Sequence, residues 1–223
     1  MNLFHLFTSP INTNTYIVEN NRRCFVVDPG GNAEEIWELI EDRKDKLDAI
    51  VLTHGHFDHI GGVAELKRRG ARIENGEVFE PKVIIHKLDA DKTRDSRKNL
   101  SVVTDFIVEK FTPDILVNGG ETLKIIGLDV MFLHTPGHSK GSMCAIIENK
   151  IFVGDTIFYM SYGRTDFYDG SYDELKNSIV NKLFALEGNY TLLPGHGDPT
   201  TLAFERVNNL ILDEKVDEPI SDC

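Results

Sequence analysis

The spacing of apolar positions along the chain changes from that of strands to that of helices and back. Residues 15–18 and 24–27 are rich in β-branched and apolar side chains and flank residues 20–21, which predicts a β-hairpin. Apolar residues between 36 and 40 then recur at helical spacing. Residues 48–53 form a short, largely apolar run that predicts a strand buried on both faces.

Glycines mark both ends of the next predicted helix, which is expected to begin at residues 61–62 and to end at Gly70. Beyond it, residues 71–120 are less regular. Residues 83–85 predict a strand, and residues 102–111 have the apolar spacing of a helix. The sequence leaves open whether this middle segment covers a functional site.

The remainder of the chain returns to a strand-rich pattern. Short apolar runs predict strands at residues 122–126, 129–133, 142–147, 151–153 and 190–193. Helical spacing appears at residues 175–186 and again at 200–209. Two strand-rich halves with helices between them predict an α/β fold, in which two sheets pack face to face and helices cover the outer faces.

Composition limits the domain count and the partners. A chain of 223 residues without a low-complexity tract predicts a single domain over residues 1–223. Its net charge of −12 repels phosphate backbones and anionic lipid, so we expect neither nucleic acid nor a membrane as a partner. The first residues show no basic stretch followed by an apolar core, so we expect no signal peptide. No apolar run approaches the ~18 residues of a membrane span.

Histidine is concentrated in one short segment. His54, His56, Asp58 and His59 lie within six consecutive positions, between a predicted strand and a predicted helix. Imidazoles this close would repel one another if protonated and would lose hydrogen bonds if buried. A divalent metal ion resolves both problems, and imidazole with carboxylate suits zinc, iron or manganese. The segment therefore predicts a metal site.

The spacing of these four side chains favours two metal ions over one. His54 and His56 alternate and can point to one side, whereas Asp58 and His59 can turn to the other. Two ions need ligands from elsewhere in the chain. Three further candidates stand beside glycine at the ends of predicted strands, where the backbone can approach closely, and these are His138, Asp155 and His196.

Together these motifs resemble those of the metallo-β-lactamase superfamily over nearly the whole chain. The resemblance implies an αββα four-layer sandwich, with two mixed sheets and helices on the outer faces. It implies two divalent metal ions, zinc first and iron or manganese as alternatives, with Asp155 as a bridge. By this resemblance one ion is held by His54, His56 and His138, and the other by Asp58, His59 and His196. Asp28 is similar to a buried aspartate of the family that orients a ligand.

Within the superfamily, residues 163–167 and 194–201 resemble the short hydroxyacylglutathione hydrolase (glyoxalase II) group. This resemblance implies hydrolysis of a small-molecule thioester or ester of a thiol carrier, in which a metal-bridging hydroxide attacks the carbonyl carbon and Asp58 helps to orient it. Arg164 falls where larger relatives place a basic glutathione-binding residue. We expect it to contact a carboxylate of the carrier, and pairing with Asp166 is the alternative.

Other functions stay open at this point. A sulfur dioxygenase acting on a glutathione persulfide would hold a single iron through His54, His138 and Asp155, and His196 would then have no ligand role. A metal-binding scaffold without catalysis would not need all seven ligands. β-Lactam hydrolysis and RNA processing also occur in the superfamily, although the acidic charge argues against RNA.

Residues outside these motifs are expected to be structural. The histidines that match no ligand motif are His5, His86 and His134. Three cysteines at wide spacing form no disulfide framework, and Cys24 and Cys144 lie among apolar residues where small core side chains are expected. This use of cysteine favours a cytoplasmic location. The acidic segment 213–218 is expected to be a solvated surface.

Overall fold

The computed structural model describes residues 1–213, which form two large β-sheets and several helices. The first half of the chain supplies β1 (Asn2–Thr8), β2 (Thr13–Asn20), β3 (Arg23–Val27), β4 (Lys46–Val51), β5 (Arg72–Glu74), β6 (Glu77–Phe79), β7 (Lys82–His86) and β8 (Ile115–Val117). The second half supplies β9 (Thr122–Ile125), β10 (Leu128–His134), β11 (Met143–Ile147), β12 (Lys150–Gly154), β13 (Ile157–Phe158), β14 (Ser161–Tyr162), β15 (Thr191–Pro194) and β16 (Thr200–Thr201). The α-helices are α1 (Ala33–Asp42), α2 (Phe57–Ile60), α3 (Val63–Gly70), α4 (Tyr172–Ser178) and α5 (Leu202–Asn208).

Both large sheets are mixed. The first has the strand order β1-β2-β3-β4-β7-β8, with antiparallel pairs from β1 to β3 and parallel pairs from β3 to β8. The second has the order β16-β15-β12-β11-β10-β9, in which β12 and β15 are parallel and the other neighbours antiparallel. The strand pairs β5-β6 and β13-β14 form separate small hairpins.

Alternation along each strand builds the layers, because successive side chains point to opposite faces of a sheet. Phe25 of β3 lies in a buried cluster with Phe132 and Phe152 of the second sheet, so this cluster fills the space between the sheets. The next residue, Val26, lies in another cluster with Ile36 of α1. A third cluster joins the outer face of the second sheet to α4. The predicted αββα sandwich is confirmed.

The hairpin of β2 and β3 is confirmed, but its turn lies one position later than residues 20–21. Asn20 pairs with Arg23, which leaves Asn21 and Arg22 as the two turn residues. Both have left-handed φ angles, 54° and 63°, as the type I′ turn of a two-residue hairpin requires.

The helix predicted at residues 102–111 is wrong. Ser101–Val103 form one short 3-10 turn, and no regular element follows before β8. The apolar residues of this segment have separate partners. Phe106 packs over Gly61, where a Cβ atom would come within 2.4 Å of its ring, whereas Phe111 lies in the buried cluster beside α1. The irregular backbone between this turn and β8 lets each side chain reach its own partner.

The last two predicted helices are present with shifted ends. The helix at residues 175–186 is α4, which begins earlier and continues as a π-helical turn at Ile179–Leu183. The helix at residues 200–209 begins only at α5, because Thr200–Thr201 pair with β15 instead. The hydroxyl of Thr201 then caps α5 by accepting a hydrogen bond from the backbone N–H of Phe204.

Three smaller points concern the cysteines, membrane-spanning helices and the acidic segment. Cys24 and Cys144 are buried with free thiols, as predicted. Among residues 1–213, no helix is long and apolar enough to cross a membrane. Of the acidic segment 213–218, all but Asp213 lies outside the described residues.

Candidate metal centre

The seven predicted ligands meet where strands of both sheets end. β4 leads into the loop with His54 and His56, and β10, β12 and β15 lead to His138, Asp155 and His196. Nitrogen and carboxylate oxygen atoms of these residues form overlapping groups in which all candidate ligand atoms lie within 4.8 Å of one another. The groups are His54/His56/His138, His54/His59/Asp155 and Asp58/His59/His196.

The loop after β4 changes direction between its second histidine and its aspartate. His56 has extended backbone with φ −75° and ψ 152°, whereas Asp58 and His59 lie in the one-turn helix α2. The histidines before this change of direction and the pair Asp58 and His59 after it therefore project into different surroundings. We call His54, His56 and His138 the first ligand group, and Asp58, His59 and His196 the second ligand group.

The first ligand group consists of three buried imidazoles. Nδ1 of His56 lies 2.9 Å from Nε2 of His138. Nδ1 of His138 lies 2.8 Å from the backbone carbonyl of Arg164. Because a carbonyl can only accept, this Nδ1 carries the proton, and the unprotonated Nε2 of His138 faces the other imidazoles.

The second ligand group places a carboxylate between two imidazoles. Oδ2 of Asp58 lies 3.2 Å from Nε2 of His59 and 3.2 Å from Nε2 of His196. The hydroxyl of Thr13 donates a hydrogen bond of 3.0 Å to the same oxygen. Thr13 therefore fixes the orientation of this carboxylate from β2.

Asp155 lies between the two ligand groups. Its Oδ1 is 3.4 Å from Nε2 of His59, and its Oδ2 is 3.4 Å from Nε2 of His138 and 3.7 Å from Nε2 of His196. A single carboxylate thus contacts imidazoles of both groups. The superfamily resemblance implies a bridging role for Asp155, and this role stays a prediction.

Asp28 lies behind the second ligand group and contacts one of its imidazoles. Its Oδ2 is 3.0 Å from Nδ1 of His59 and accepts a hydrogen bond of 2.6 Å from the hydroxyl of Thr53. Its Oδ1 accepts a hydrogen bond of 2.7 Å from the Thr53 backbone N–H. A carboxylate that holds Nδ1–H of a histidine leaves Nε2 free to bind a metal ion and makes it more basic.

The pKa values of the histidines are shifted in opposite directions in the two ligand groups. Burial, together with the neighbouring imidazoles, lowers the pKa of His54 and of His56 well below its usual range. Burial also lowers the pKa of His59, but Asp58, Asp155 and Asp28 outweigh it and hold this pKa well above its usual range. The carboxylates that attract a proton here attract any other cation as well.

Unpartnered buried atoms indicate that metal ions fit among these residues. Nε2 of His54 is buried without a hydrogen-bond partner. Nε2 of His59 and Oδ1 of Asp155 are buried and make no hydrogen bond of good geometry, although they lie 3.4 Å apart. These three residues form one of the groups with ligand atoms within 4.8 Å of one another. Buried polar atoms without partners are costly, and a divalent cation bound by nitrogen and oxygen satisfies all three. The fold thus holds a His/Asp cluster suited to binding metal ions.

Glycine allows the close approach that the sequence predicted beside the ligands. A Cβ atom on Gly195 would lie 2.2 Å from Oδ1 of Asp155 and 2.6 Å from Cε1 of His59. A Cβ atom on Gly154 would lie 2.2 Å from the hydroxyl of Thr53. Any side chain at these positions would push the ligand loops apart.

Arg164 lies near the first ligand group, but its side chain has a partner. The guanidinium donates hydrogen bonds of 2.7 and 2.6 Å to the two carboxylate oxygens of Asp166 and lies 4.5 Å from the ring centroid of Phe167. The ring of Phe167 in turn contacts His56 and His138, at centroid distances of 5.0 and 5.6 Å. This pairing is the alternative that the sequence left open for Arg164, and its contact with a substrate stays a prediction.

Several residues that support the site were not predicted from the sequence. Thr13 carries no pattern that separates it from ordinary strand residues, and Phe167 belongs to the motif at residues 163–167 but had no role predicted for it. Asp89, on a buried turn of 3-10 helix, contacts the loops of His54 and His138, and only the fold brings it there. The structural histidines lie elsewhere: His86 stacks on His134 at a centroid distance of 4.0 Å, and His5 bonds Asn14.

Known proteins are similar in sequence to this chain over most of its length. The family model of the metallo-beta-lactamase superfamily matches residues 8–196. The hydroxyacylglutathione hydrolase GloC of Haemophilus influenzae is 34% identical over 202 residues, which cover 89% of this chain and 92% of that relative.

Two solved structures share the whole fold. The crystal structure of the B3 metallo-beta-lactamase BLEG-1 is 31% identical, has a TM-score of 0.86 and covers 95% of this chain and 100% of its own. The crystal structure of TTHA1623 in a di-iron-bound form is 29% identical, has a TM-score of 0.79 and covers 94% of this chain and 100% of its own. The fold, the ligand cluster and these similarities together establish that the chain belongs to the metallo-beta-lactamase superfamily of metallo-hydrolases.

Proposed function

We propose that the protein hydrolyses a thioester or ester of a small thiol carrier with two divalent metal ions in its site. The observation that carries this proposal is the pair of ligand groups joined by Asp155, with unpartnered buried atoms between them. The similarity to GloC, a hydroxyacylglutathione hydrolase, supports the thioester as substrate.

Each ligand group would hold one ion. His54, His56 and His138 would bind the first and Asp58, His59 and His196 the second, with Asp155 shared between them. When bound, the two ions supply a Lewis acid for the carbonyl oxygen and a source of nucleophilic water at neutral pH. Zinc is the first expectation because imidazole and carboxylate suit it, and iron is a second because TTHA1623 binds two iron ions with the same fold.

The carboxylate of Asp58 stays ionised. Burial raises the pKa of Asp58, but His59 and His196 outweigh burial and hold this pKa well below its usual range. An ionised Asp58, oriented by Thr13, accepts a hydrogen bond from water and directs it; it cannot serve as a proton donor. This suits a thiolate leaving group, which needs less protonation than an amine because thiols are more acidic.

The site opens to solvent at the second ligand group. The side chain of His196 is 26% exposed, whereas that of His59 is fully buried. Arg164 stands at the other end with a side chain 60% exposed. A small anionic carrier reaching both would have to replace Asp166 as the partner of the guanidinium. A net charge of −12 disfavours nucleic acid and anionic membrane as partners, whereas a small anion needs only the local positive charge of Arg164 and the metal ions. We place the reaction in the cytoplasm.

The test is a substrate panel with metal analysis of the purified enzyme. We expect two metal ions per chain and faster hydrolysis of S-lactoylglutathione than of neutral thioesters of similar size. The panel includes a β-lactam, because BLEG-1 is a metallo-beta-lactamase, and glutathione persulfide with oxygen. Preferential β-lactam cleavage, or one iron per chain with persulfide oxidation, would replace the thioester proposal.

A further inference from the structure

A buried ionic cluster lies against the ligand loops without contributing a ligand. Asp89 and Lys92 belong to the 3-10 helix Lys87–Arg94, which follows β7, and Asp169 precedes α4. Asp89 is 0% and Lys92 1% exposed. Nζ of Lys92 lies 2.9 Å from Oδ2 of Asp169 and 3.5 Å from Oδ2 of Asp89. We call Asp89, Lys92 and Asp169 the Asp89 cluster.

The carboxylate of Asp89 joins two loops that come from different sheets. On one side, Oδ2 accepts a hydrogen bond of 2.8 Å from the backbone N–H of Gly55, the residue between His54 and His56. On the other side, Oδ2 accepts a hydrogen bond of 2.7 Å from the hydroxyl of Ser139, which directly follows His138. Every residue of the first ligand group is therefore next to a group that Asp89 holds.

A third hydrogen bond and close packing strengthen this link. The backbone N–H of Gly141 donates to Oδ1 of Asp89 at 2.8 Å. A Cβ atom on Gly141 would lie 2.5 Å from this oxygen, and one on Gly55 would lie 2.7 Å from Cβ of Lys92. Both loops lie directly on the cluster, so a displacement of the cluster displaces the ligand backbone.

Asp169 extends the cluster to a third segment. Its Oδ2 accepts a hydrogen bond of 3.4 Å from the backbone N–H of Lys140, in the same turn as His138. The chain closes a turn here, because Gly170 N–H donates to the carbonyl of Phe167 at 3.0 Å. The ring of Phe167 contacts both His56 and His138.

The stability of the fold gives little reason for such a cluster. Two buried carboxylates and one buried ammonium are costly to desolvate, and apolar residues of similar volume would stabilise a core at least as well. The hydrogen bonds of Asp89 instead go to the two loops of the first ligand group. Within residues 1–213, the second ligand group has other supports, since Asp28 holds His59 and Thr13 holds Asp58.

We infer that the Asp89 cluster positions His54, His56 and His138 for one metal ion and leaves the support of the other ion by Asp28 and Thr13 in place. Asp89 is a positioning residue, since it acts through the backbone of the ligand loops. The inference rests on the two-ion site of the proposed function. The inference predicts that mutation of Asp89, which is not a metal ligand, weakens one of the two metal-binding events and not the other.

The test compares Asp89→Asn with a matched buried carboxylate. Glu205 is also 0% exposed and accepts three hydrogen bonds, from Thr200, Met160 and Asn209, but holds neither ligand group. Metal-free wild-type, Asp89→Asn and Glu205→Gln proteins are titrated with cobalt(II), which reports each site by its absorption bands. We expect Asp89→Asn to weaken one of two binding events by about 10–100-fold and Glu205→Gln to weaken neither.

Ligand variants assign the affected ion. The bands weakened in Asp89→Asn should be those lost in His56→Ala, and the bands lost in His59→Ala should persist. Ser139→Ala, which removes one donor from Asp89, should weaken the same event to a smaller extent and serves as the main variant if Asp89→Asn does not fold.

Two results would overturn the inference, and a third bears only on the substrate. The cluster is merely structural if Asp89→Asn and Ser139→Ala lower the melting temperature of the metal-free protein yet bind both ions with wild-type affinity. The halves are not independent if both binding events weaken equally. A wild-type enzyme that binds two ions and shows the predicted split but cleaves no thioester would remove the proposed reaction and leave the positioning role in place.

Discussion

The two halves of the metal centre differ in charge and exposure although one loop supplies ligands to both. His54, His56 and His138 are buried together, and burial lowers the pKa of each. In the second ligand group, burial also lowers the pKa of His196, but Asp155 and Asp58 outweigh it and raise this pKa, as carboxylates do for His59. The imidazoles of the first ligand group therefore favour the neutral form. Those of the second ligand group lie beside carboxylates and favour the protonated form.

This difference determines whether each half must release protons when it binds a metal ion. Neutral imidazoles bind a metal ion without releasing protons, whereas protonated histidines must lose theirs first. The supports of the halves overlap only in part. Asp89 holds the loops of the first half and Thr13 holds Asp58 of the second. Asp28 holds His59 of the second half, and its partner Thr53 also lies 3.2 Å from Nδ1 of His54. The comparison therefore predicts separate responses to chelation, to mutation and to pH.

The largest effect is expected from removing both ions. Chelation should abolish turnover, because in the proposed reaction the ions would supply the Lewis acid and the nucleophilic water. The fold should survive, since its three apolar clusters do not include the ligands. Activity assays and far-ultraviolet circular dichroism before chelation, after it and after addition of zinc, iron(II) or manganese(II) test this. Full activity in metal-free protein would contradict a metal-dependent reaction.

The next effect concerns the support of the second ligand group. Asp28→Ala should weaken one metal-binding event by about 10–100-fold, because His59 loses the acceptor for its Nδ1–H. Asp28 has a left-handed φ of 50°, which alanine tolerates poorly. Asp28→Asn is the control, since asparagine accepts this backbone and removes only the charge.

If Asp28→Asn retains wild-type affinity while Asp28→Ala does not, the backbone and not the carboxylate matters. Metal titration of both variants distinguishes these outcomes. The bands of His59→Ala should be affected most. A smaller effect on the bands of His56→Ala is expected, because Thr53, the partner of Asp28, also contacts Nδ1 of His54. Wild-type affinity and turnover in both variants would remove Asp28 from the site.

A smaller and graded effect is expected from pH. The raised pKa values of His59 and His196 mean that protons compete with the metal ion in the second ligand group near neutral pH. Raising the pH removes these protons, so affinity there should rise by about tenfold per pH unit for each proton released. In the first ligand group the lowered pKa of His54 and His56 predicts little change over the same range. Equal pH dependence of both binding events, measured by titration at several pH values, would contradict this difference.

The smallest effect is expected at Arg164. If it contacts a carboxylate of the carrier, Arg164→Ala should raise KM several-fold for glutathione thioesters and leave kcat nearly unchanged. Asp166→Ala is the matched variant, because it frees the guanidinium and should lower KM. A fall in kcat and in melting temperature in both variants would instead make the pair a brace for the loop, with a stability effect of about 1 kcal/mol or less for so exposed a pair.

Much of the fold was predictable because local patterns agree with tertiary packing. Alternation around Phe25 and Val26 gives a strand buried on both faces, and Ile36 and Ile40 give the buried side of α1. The pattern failed at residues 102–111, where apolar residues at helical spacing pack against separate partners. Spacing alone cannot distinguish one shared face from several independent contacts.

The sequence by itself identified the His/Asp cluster as the candidate metal site. Four donors within six positions, and single ligands beside glycine at strand ends, required no structure to be recognised, because close imidazoles without a metal ion are costly. Whether the chain forms one domain over residues 1–223, and which metal it binds, stay predictions.

Only the tertiary structure decided how these ligands are held. Asp89, Lys92 and Thr13 have no local pattern, since an acid or a threonine in sequence is indistinguishable from a surface residue. Their roles arise because two sheets place loops distant in sequence against the same carboxylate. Arg164 shows the same limit, because only the fold reveals that Asp166 already occupies its guanidinium. Ligand identity is a local property of side chains, whereas ligand geometry depends on contacts between distant parts of the chain.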